Sequence, residues 1–209
     1  CQAVNYLDID VRKLEVDLMS ISGNKIYGPK SSGILYVKQG VRLQPIIWGG
    51  GQEFGLRAGT EDAVKITGMT EALKIARRIV EVENQRLYEL REKIFSFLQS
   101  EIDDMVINGS RKDRLVNNIN VSVAGAEGES LVLYLDEAGV AASTGSACSA
   151  ADLNPSSVLL AIGLPIELAH CSLRISLGRY TSEESVEQLL LVLPKVINKV
   201  RSMSAFVNK

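Results

Sequence analysis

The 209 residues are 46% hydrophobic and 23% charged with a formal net charge of -2, which gives enough apolar material for a buried core but no basic field to attract phosphate backbones. No apolar run approaches the roughly 20 residues that cross a bilayer, and the first residues lack the basic, then apolar, then small pattern of a secretion signal. Three widely spaced cysteines, Cys1, Cys148 and Cys171, make neither a disulfide framework nor a paired metal site, so a reducing, cytoplasmic setting is expected, with the mitochondrial matrix as the alternative and neither membrane nor nucleic acid as a partner.

The chain opens at Cys1 directly into the apolar stretch Ala3-Val4-Asn5-Tyr6-Leu7, which reads as the interior of a domain already under way. Two short, mostly apolar runs at 16–21 and 33–38 flank the turn material Gly28-Pro29-Lys30-Ser31-Ser32, predicting strand, turn, strand with Lys25 near the end of the first strand. Residues 43–59 are irregular and glycine-rich, a folded loop rather than a linker. From Thr60 the apolar positions Val64, Met69, Leu73, Ile79, Leu87, Leu90, Ile94 and Leu98 fall at helical spacing as far as Ile102, a long helix broken at most once. Strands are expected at 105–109 and 118–123, a helix at 128–137, a strand end at 140–143, a helix opening at Asn154-Pro155-Ser156 and a strand at 172–177. Thr181-Ser182-Glu183-Glu184 has the spacing of a capping box, and the helix that follows should run to about Met203 with a kink at Pro194. The alternation is α/β.

Two residues stand out chemically. Lys25 lies between Gly23 and Gly28, flanked by Ser22 and Asn24, whose side chains can donate to a phosphate oxygen. An imine-forming lysine must lose its proton and stand where a bulky aldehyde can reach it, and a glycine-bounded strand end suits that. By spacing alone, a surface lysine in a polar turn is the commoner reading. Cys148 sits among Gly145, Ser146, Ala147, Ser149 and Ala150 with no large apolar neighbour, a setting for an exposed nucleophilic thiolate or, equally, for a small residue in a tight turn. Cys171 reads as core, and Cys1 as an interior position. Strand alternation puts Arg174 opposite Leu173 and Ile175, as a carboxylate clamp or a solvated strand arginine. His170, the one histidine, is assigned no chemistry, and no cluster has metal-ligand spacing.

Four segments occur in one order: Ser22-Gly23-Asn24-Lys25-Ile26-Tyr27-Gly28-Pro29-Lys30, then Gly49-Gly50-Gly51-Gln52-Glu53-Phe54-Gly55-Leu56-Arg57-Ala58-Gly59-Thr60, then Gly145-Ser146-Ala147-Cys148, then Ser172-Leu173-Arg174-Ile175-Ser176-Leu177-Gly178-Arg179-Tyr180-Thr181. That order resembles the cysteine desulfurases of the class-V aminotransferase superfamily, over essentially the whole chain and corresponding to the C-terminal half of a family member. The resemblance implies an α/β fold of the fold type I, aspartate aminotransferase-like class of pyridoxal-phosphate transferases. Residues 1–60 would be the end of the large cofactor domain, and 61–209 a linking helix plus a small α/β domain carrying the cysteine loop.

The roles implied by the resemblance are specific. Lys25 would hold pyridoxal 5'-phosphate covalently and then shuttle the Cα proton. Ser22 and Asn24 would contact the phosphate, Thr60 the phosphate of a neighbouring subunit, and Gln2 the ring hydroxyl, while Arg174 would anchor the substrate carboxylate. Cys148 would take sulfur from L-cysteine as a persulfide, leaving alanine, and pass it to an acceptor or iron-sulfur scaffold protein for cluster assembly or tRNA thiolation. A homodimer follows from the role of Thr60. Asn24 departs from the usual histidine, which predicts weaker cofactor binding, and the acid expected to pair with the pyridine nitrogen falls before residue 1, so the isolated chain is expected to have little activity. The alternatives are another class-V enzyme, a selenocysteine lyase or an aminotransferase, and a non-catalytic docking module.

Overall fold

The two apolar runs on either side of the Gly28 turn pair as an antiparallel hairpin, β1 (Leu18–Ser22) with β2 (Gly33–Val37), in a register from Leu18 opposite Val37 to Ser22 opposite Gly33. In this computed structural model, which describes residues 1–145 and 154–203, the chain falls into two units, Cys1–Glu83 and Asn84–Lys209. The division lies within one continuous helix, α1 (Ala63–Glu101), formed by the stripe that begins at Val64.

In the first unit the core is small. Val4, Ile26, Met69 and Ala72 are buried together, with Ile9, Ile21 and Leu73 packed on them. Gly68 lets α1 lie against the turn between the strands, because a Cβ there would stand 2.7 Å from Pro29 Cγ. Lys25 is not on β1. It lies three residues beyond Ser22, on a 3-10 turn spanning Gly23–Ile26 that Tyr27 ends in the left-handed conformation, φ 62°.

The second unit is built on a three-stranded antiparallel sheet in the order β3 (Met105–Ile107), β4 (Asn118–Val123), β5 (Ser172–Ser176). Strand alternation gives it one apolar face, where Ile119, Val121, Val123, Leu173 and Ile175 are buried, and one polar face carrying Asn118, Asn120, Ser122, Ser172, Arg174 and Ser176. Leu87, Ile94, Phe95 and Leu98 of α1, Leu131 and Leu135 of α2 (Gly128–Glu137), and Leu189, Leu193 and Ile197 of α5 (Glu183–Met203) are buried in this unit. The expected strand end at 140–143 is a single bridge, Ser143 to Arg174.

Two local expectations shift, and a third element is as expected. The helix expected after Asn154 is two short ones, α3 (Ser157–Ala161) and α4 (Ile166–His170), because Gly163 takes φ +88° and Pro165 follows it. Thr181 does not cap α5. Its hydroxyl accepts from the Gly178 N–H at 2.9 Å, and Ser182 Oγ instead accepts from the Ser185 N–H at 3.2 Å. Pro194 lies inside α5 without ending it, between the buried Leu193 and Val196.

The start of α2 is held by Glu127, whose carboxylate accepts from the N–H groups of Glu129 at 2.9 Å and Ser130 at 2.7 Å. Burial pushes its pKa up, but hydrogen bonds from Ser130 and Glu129 outweigh that and hold it below 4.5. A depressed folded-state pKa contributes stability above the unfolded value, lost as pH falls through the folded one. Glu127→Ala should therefore destabilise α2 by about 1 kcal/mol at pH 7, read as faster amide exchange across Gly128–Glu137. The difference from the parent should fade as pH drops below 4.5, and a gap that persists at acid pH would refute the charge-assisted cap.

Candidate active site

The Lys25 turn is locked from three sides. A Cβ on Gly23 would lie 2.0 Å from Ser32 Oγ and 2.9 Å from Pro29 O, so only glycine fits. Backbone hydrogen bonds from Gly23 N to Ser32 O (2.9 Å) and from Gly28 N to Gly23 O (2.8 Å) close the turn. Ile26, the next residue, is wholly buried. From the other side Asn5, itself buried, donates Nδ2 to the Lys25 carbonyl at 2.7 Å. Asn5 belongs to the 3-10 turn Gln2–Asn5, so Gln2 is carried on the turn that adjoins Lys25.

The Lys25 side chain is left exposed, and among the described residues no carboxylate pairs with it. Ser22 Oγ donates to Asn24 Oδ1, which brings the two phosphate candidates together beside the lysine. The result is a lysine, an amide and a hydroxyl with no acid among them. This donor set fits an anionic phosphate ester carrying a carbonyl group that an amine can attack. Thr60 is exposed at the end of a loop folded on itself, where Gly59, φ +110°, donates its N–H to Gln52 Oε1 at 3.1 Å.

Arg174, in the second unit, is half-buried and pinned by neutral acceptors. Nη1 donates to Gly145 O at 3.0 Å and Nη2 to Ser143 Oγ at 3.4 Å, while the backbones of Ser143 and Arg174 exchange hydrogen bonds of 2.6 and 3.1 Å. No carboxylate pairs with it among the described residues, which leaves an oriented cation able to donate to a ligand carboxylate. Cys148 lies outside the described residues. Cys171 is partly buried, and burial raises its thiol above the ordinary range despite nearby N–H groups of Gly125 and Ala126, which keeps it protonated and unreactive at neutral pH. His170 is exposed in the last turn of α4. Among the described residues no group of three or more His, Cys, Asp or Glu could hold a metal ion, and no helix is long and apolar enough to cross a membrane.

Asn5 and Ser143 are the supporting residues that sequence reading passed over. A polar residue inside the apolar run Ala3-Val4-Asn5-Tyr6 was the available signal for the first. Ser143 had none, since its partner Arg174 is 31 residues away.

Residues 1–189 match the aminotransferase class-V family. The chain belongs to the class-V aminotransferase family. This class-V chain is 48% identical to cysteine desulfurase IscS of Clostridium botulinum, over 97% of its own length and 52% of the relative's. It is 50% identical to cysteine desulfurase IscS 1 of Archaeoglobus fulgidus, over 97% and 53%. It therefore spans about half the length of the curated relatives it matches. Among solved structures, a NifS-like protein superimposes with a TM-score of 0.83 at 31% identity, covering 94% of this chain and 50% of that one. SspA in complex with cysteine gives 0.63 at 33%, covering 87% and 49%. The class-V fold is that of the fold type I transferases, and the family depends on pyridoxal phosphate.

Proposed function

We propose that this class-V chain is part of a cysteine desulfurase, which converts L-cysteine to L-alanine and carries the sulfur as a persulfide on Cys148. The observation that carries the reading is the Lys25 turn, a free amine held on a locked backbone beside two uncharged polar side chains. Similarity to curated cysteine desulfurases along 97% of the chain narrows the chemistry to sulfur removal, and the solved SspA complex shows cysteine bound to a related protein.

Pyridoxal phosphate, when bound, supplies an aldehyde that condenses with amines and a ring that draws electrons from the adjacent carbon. Lys25 holds it and then, as a free amine, takes and returns the substrate's Cα proton. Ser22 and Asn24 bind the phosphate, Gln2 the ring hydroxyl, and Arg174 the substrate carboxylate. Cys148 thiolate attacks the substrate sulfur. An S–S bond forms, the Cβ–S bond breaks, and Cβ keeps the electron pair and gains a proton, so the carbon is reduced to alanine as the sulfur is oxidised to persulfide.

Residues 1–60 belong in this reading to the cofactor domain, and 61–209 to the linking helix and small domain. A homodimer in which Thr60 reaches the neighbouring phosphate is supported by exposed apolar residues in the loop that precedes it. Ile46, Trp48 and Phe54 are 93%, 77% and 98% exposed, the kind of area a protein partner covers. In this reading the protein is a cytoplasmic enzyme feeding iron-sulfur assembly or tRNA thiolation, since a free Cys148 thiol persists in a reducing compartment.

The test is stoichiometric. Full-length protein loaded with pyridoxal phosphate and given L-cysteine should form alanine and releasable sulfur in equal amounts. Pyruvate or another keto acid as product would identify an aminotransferase instead, and turnover of selenocysteine but not cysteine a selenocysteine lyase.

A further inference from the structure

On the polar face of the second sheet, Asn120 stands directly opposite Arg174 in the β4–β5 register, so the two side chains leave the sheet on the same side. Cβ atoms of such pairs are roughly 4.5–5.5 Å apart, within reach of one small ligand. The Asn120 amide is fixed from the other edge of its strand. Asn108, only 4% exposed, donates Nδ2 to Asn120 Oδ1 at 2.6 Å and its backbone N–H to Asn120 O at 3.0 Å. Asn108 is itself held by a second bond to Ser122 Oγ at 2.9 Å and by Arg114 on its carbonyl. With Oδ1 committed toward β3, the planar amide turns its NH2 away from β3, to the side where β5 and Arg174 lie.

Among the described residues, Asn120 Nδ2 makes no hydrogen bond, and neither does the buried Arg174 Nε. Two kinds of N–H donor, one neutral and one cationic, thus share one face with neither bonded to an acceptor among the described residues. Arg174 Nε is buried without an acceptor, which is costly, and a ligand that brings oxygen lone pairs relieves it, while the half-buried Asn120 can donate to the same ligand. Ser143 and Gly145 hold the guanidinium from the remaining side.

We infer that Asn120 is a second anchor for the substrate carboxylate, taking one oxygen while Arg174 takes the other. The inference rests on the reading of Arg174 as the carboxylate anchor. A neutral amide suits the position, since it donates without adding charge. The pair makes the site selective for amino acids over the corresponding amines, because an amine without a carboxylate leaves both donors unmet.

Calorimetric binding to the full-length, cofactor-loaded protein tests this with L-alanine and with ethylamine, the same molecule without its carboxylate. Asn120→Ala should raise the alanine Kd about tenfold, the loss of one hydrogen bond to a charged group, and leave the ethylamine Kd unchanged. Asn120→Asp, which keeps the shape and adds a repelling charge, should raise the alanine Kd further, and it decides the matter if the alanine variant does not fold. Unchanged alanine affinity in the Asn120 variants, or equal losses for alanine and ethylamine, overturns the inference. Arg174→Leu separates the two levels. Alanine binding that survives that change overturns the carboxylate reading of Arg174 and Asn120 together, whereas loss there with no loss at Asn120 overturns the role of Asn120 alone.

Discussion

Lys25→Ala in the full-length protein is expected to slow alanine formation from L-cysteine by about 10⁴-fold, the upper range for removing a positioned acid–base group. The substitution should cost the fold almost nothing. Lys25 contributes to its turn through its carbonyl, which accepts from Asn5, and the turn is closed by Gly23, Gly28 and the buried Ile26. Its side chain is exposed and makes no ion pair among the described residues. The thermal midpoint should therefore match the parent's while activity disappears. Lys25→Arg should not rescue, because a guanidinium keeps its proton at any physiological pH and can neither form the covalent link nor abstract a proton. Rates of single-turnover alanine formation decide it, and a variant within tenfold of the parent removes Lys25 from the chemistry.

The contrast between a mute side chain and a busy backbone at residue 25 also explains how much of this site was legible beforehand. Elements set by short-range periodicity were readable. The stripe from Val64 gave α1, alternation gave β4 and β5, and Gly128–Glu137 is the helix expected there. The motif order carried the family, so the lysine and the strand arginine could be named. What escaped depends on contacts distant in sequence or on competition between neighbours. The 3-10 turn under Lys25 exists because Gly23 is pressed against Ser32 and Pro29, and no window around Gly23 reveals that. Thr181 and Ser182 both carry a hydroxyl suited to a helix start, and the spacing rule chose the first. The chain uses Thr181 to close the Gly178 turn, which leaves Ser182 for the helix. The Asn108, Asn120 and Ser122 cluster was invisible for a similar reason, as its bonds run between strands.

In the proposed reading both anchored groups follow one rule of construction, in which a side chain meant for a ligand is oriented by groups that do not satisfy its charge. Lys25 is fixed through its backbone, and Arg174 is gripped by a carbonyl and a hydroxyl. An acid in either place would have stabilised the free protein and competed with the ligand, since an internal carboxylate is always present at high effective concentration.

Cys148→Ala should abolish sulfur transfer, lowering the yield of protein-bound sulfur from labelled cysteine by more than roughly 10³-fold, because no other thiol in the chain can replace it. Cys171 is held protonated by burial, so its thiolate fraction at pH 7 is smaller than that of a free cysteine. Cys1 is engaged through Sγ with the Ser20 carbonyl at 3.6 Å and the Ser22 N–H at 3.3 Å, on the strand that leads to the Lys25 turn. The glycine that opens the Cys148 motif is tied back to Arg174 through its carbonyl, so the arginine proposed as carboxylate anchor also holds the residue that opens this motif. Cys171→Ala, made in parallel, should keep full sulfur transfer. Label bound to the Cys148→Ala protein at the parent's level, or lost from Cys171→Ala, would move the nucleophile to another residue and leave the desulfurase assignment without its sulfur carrier.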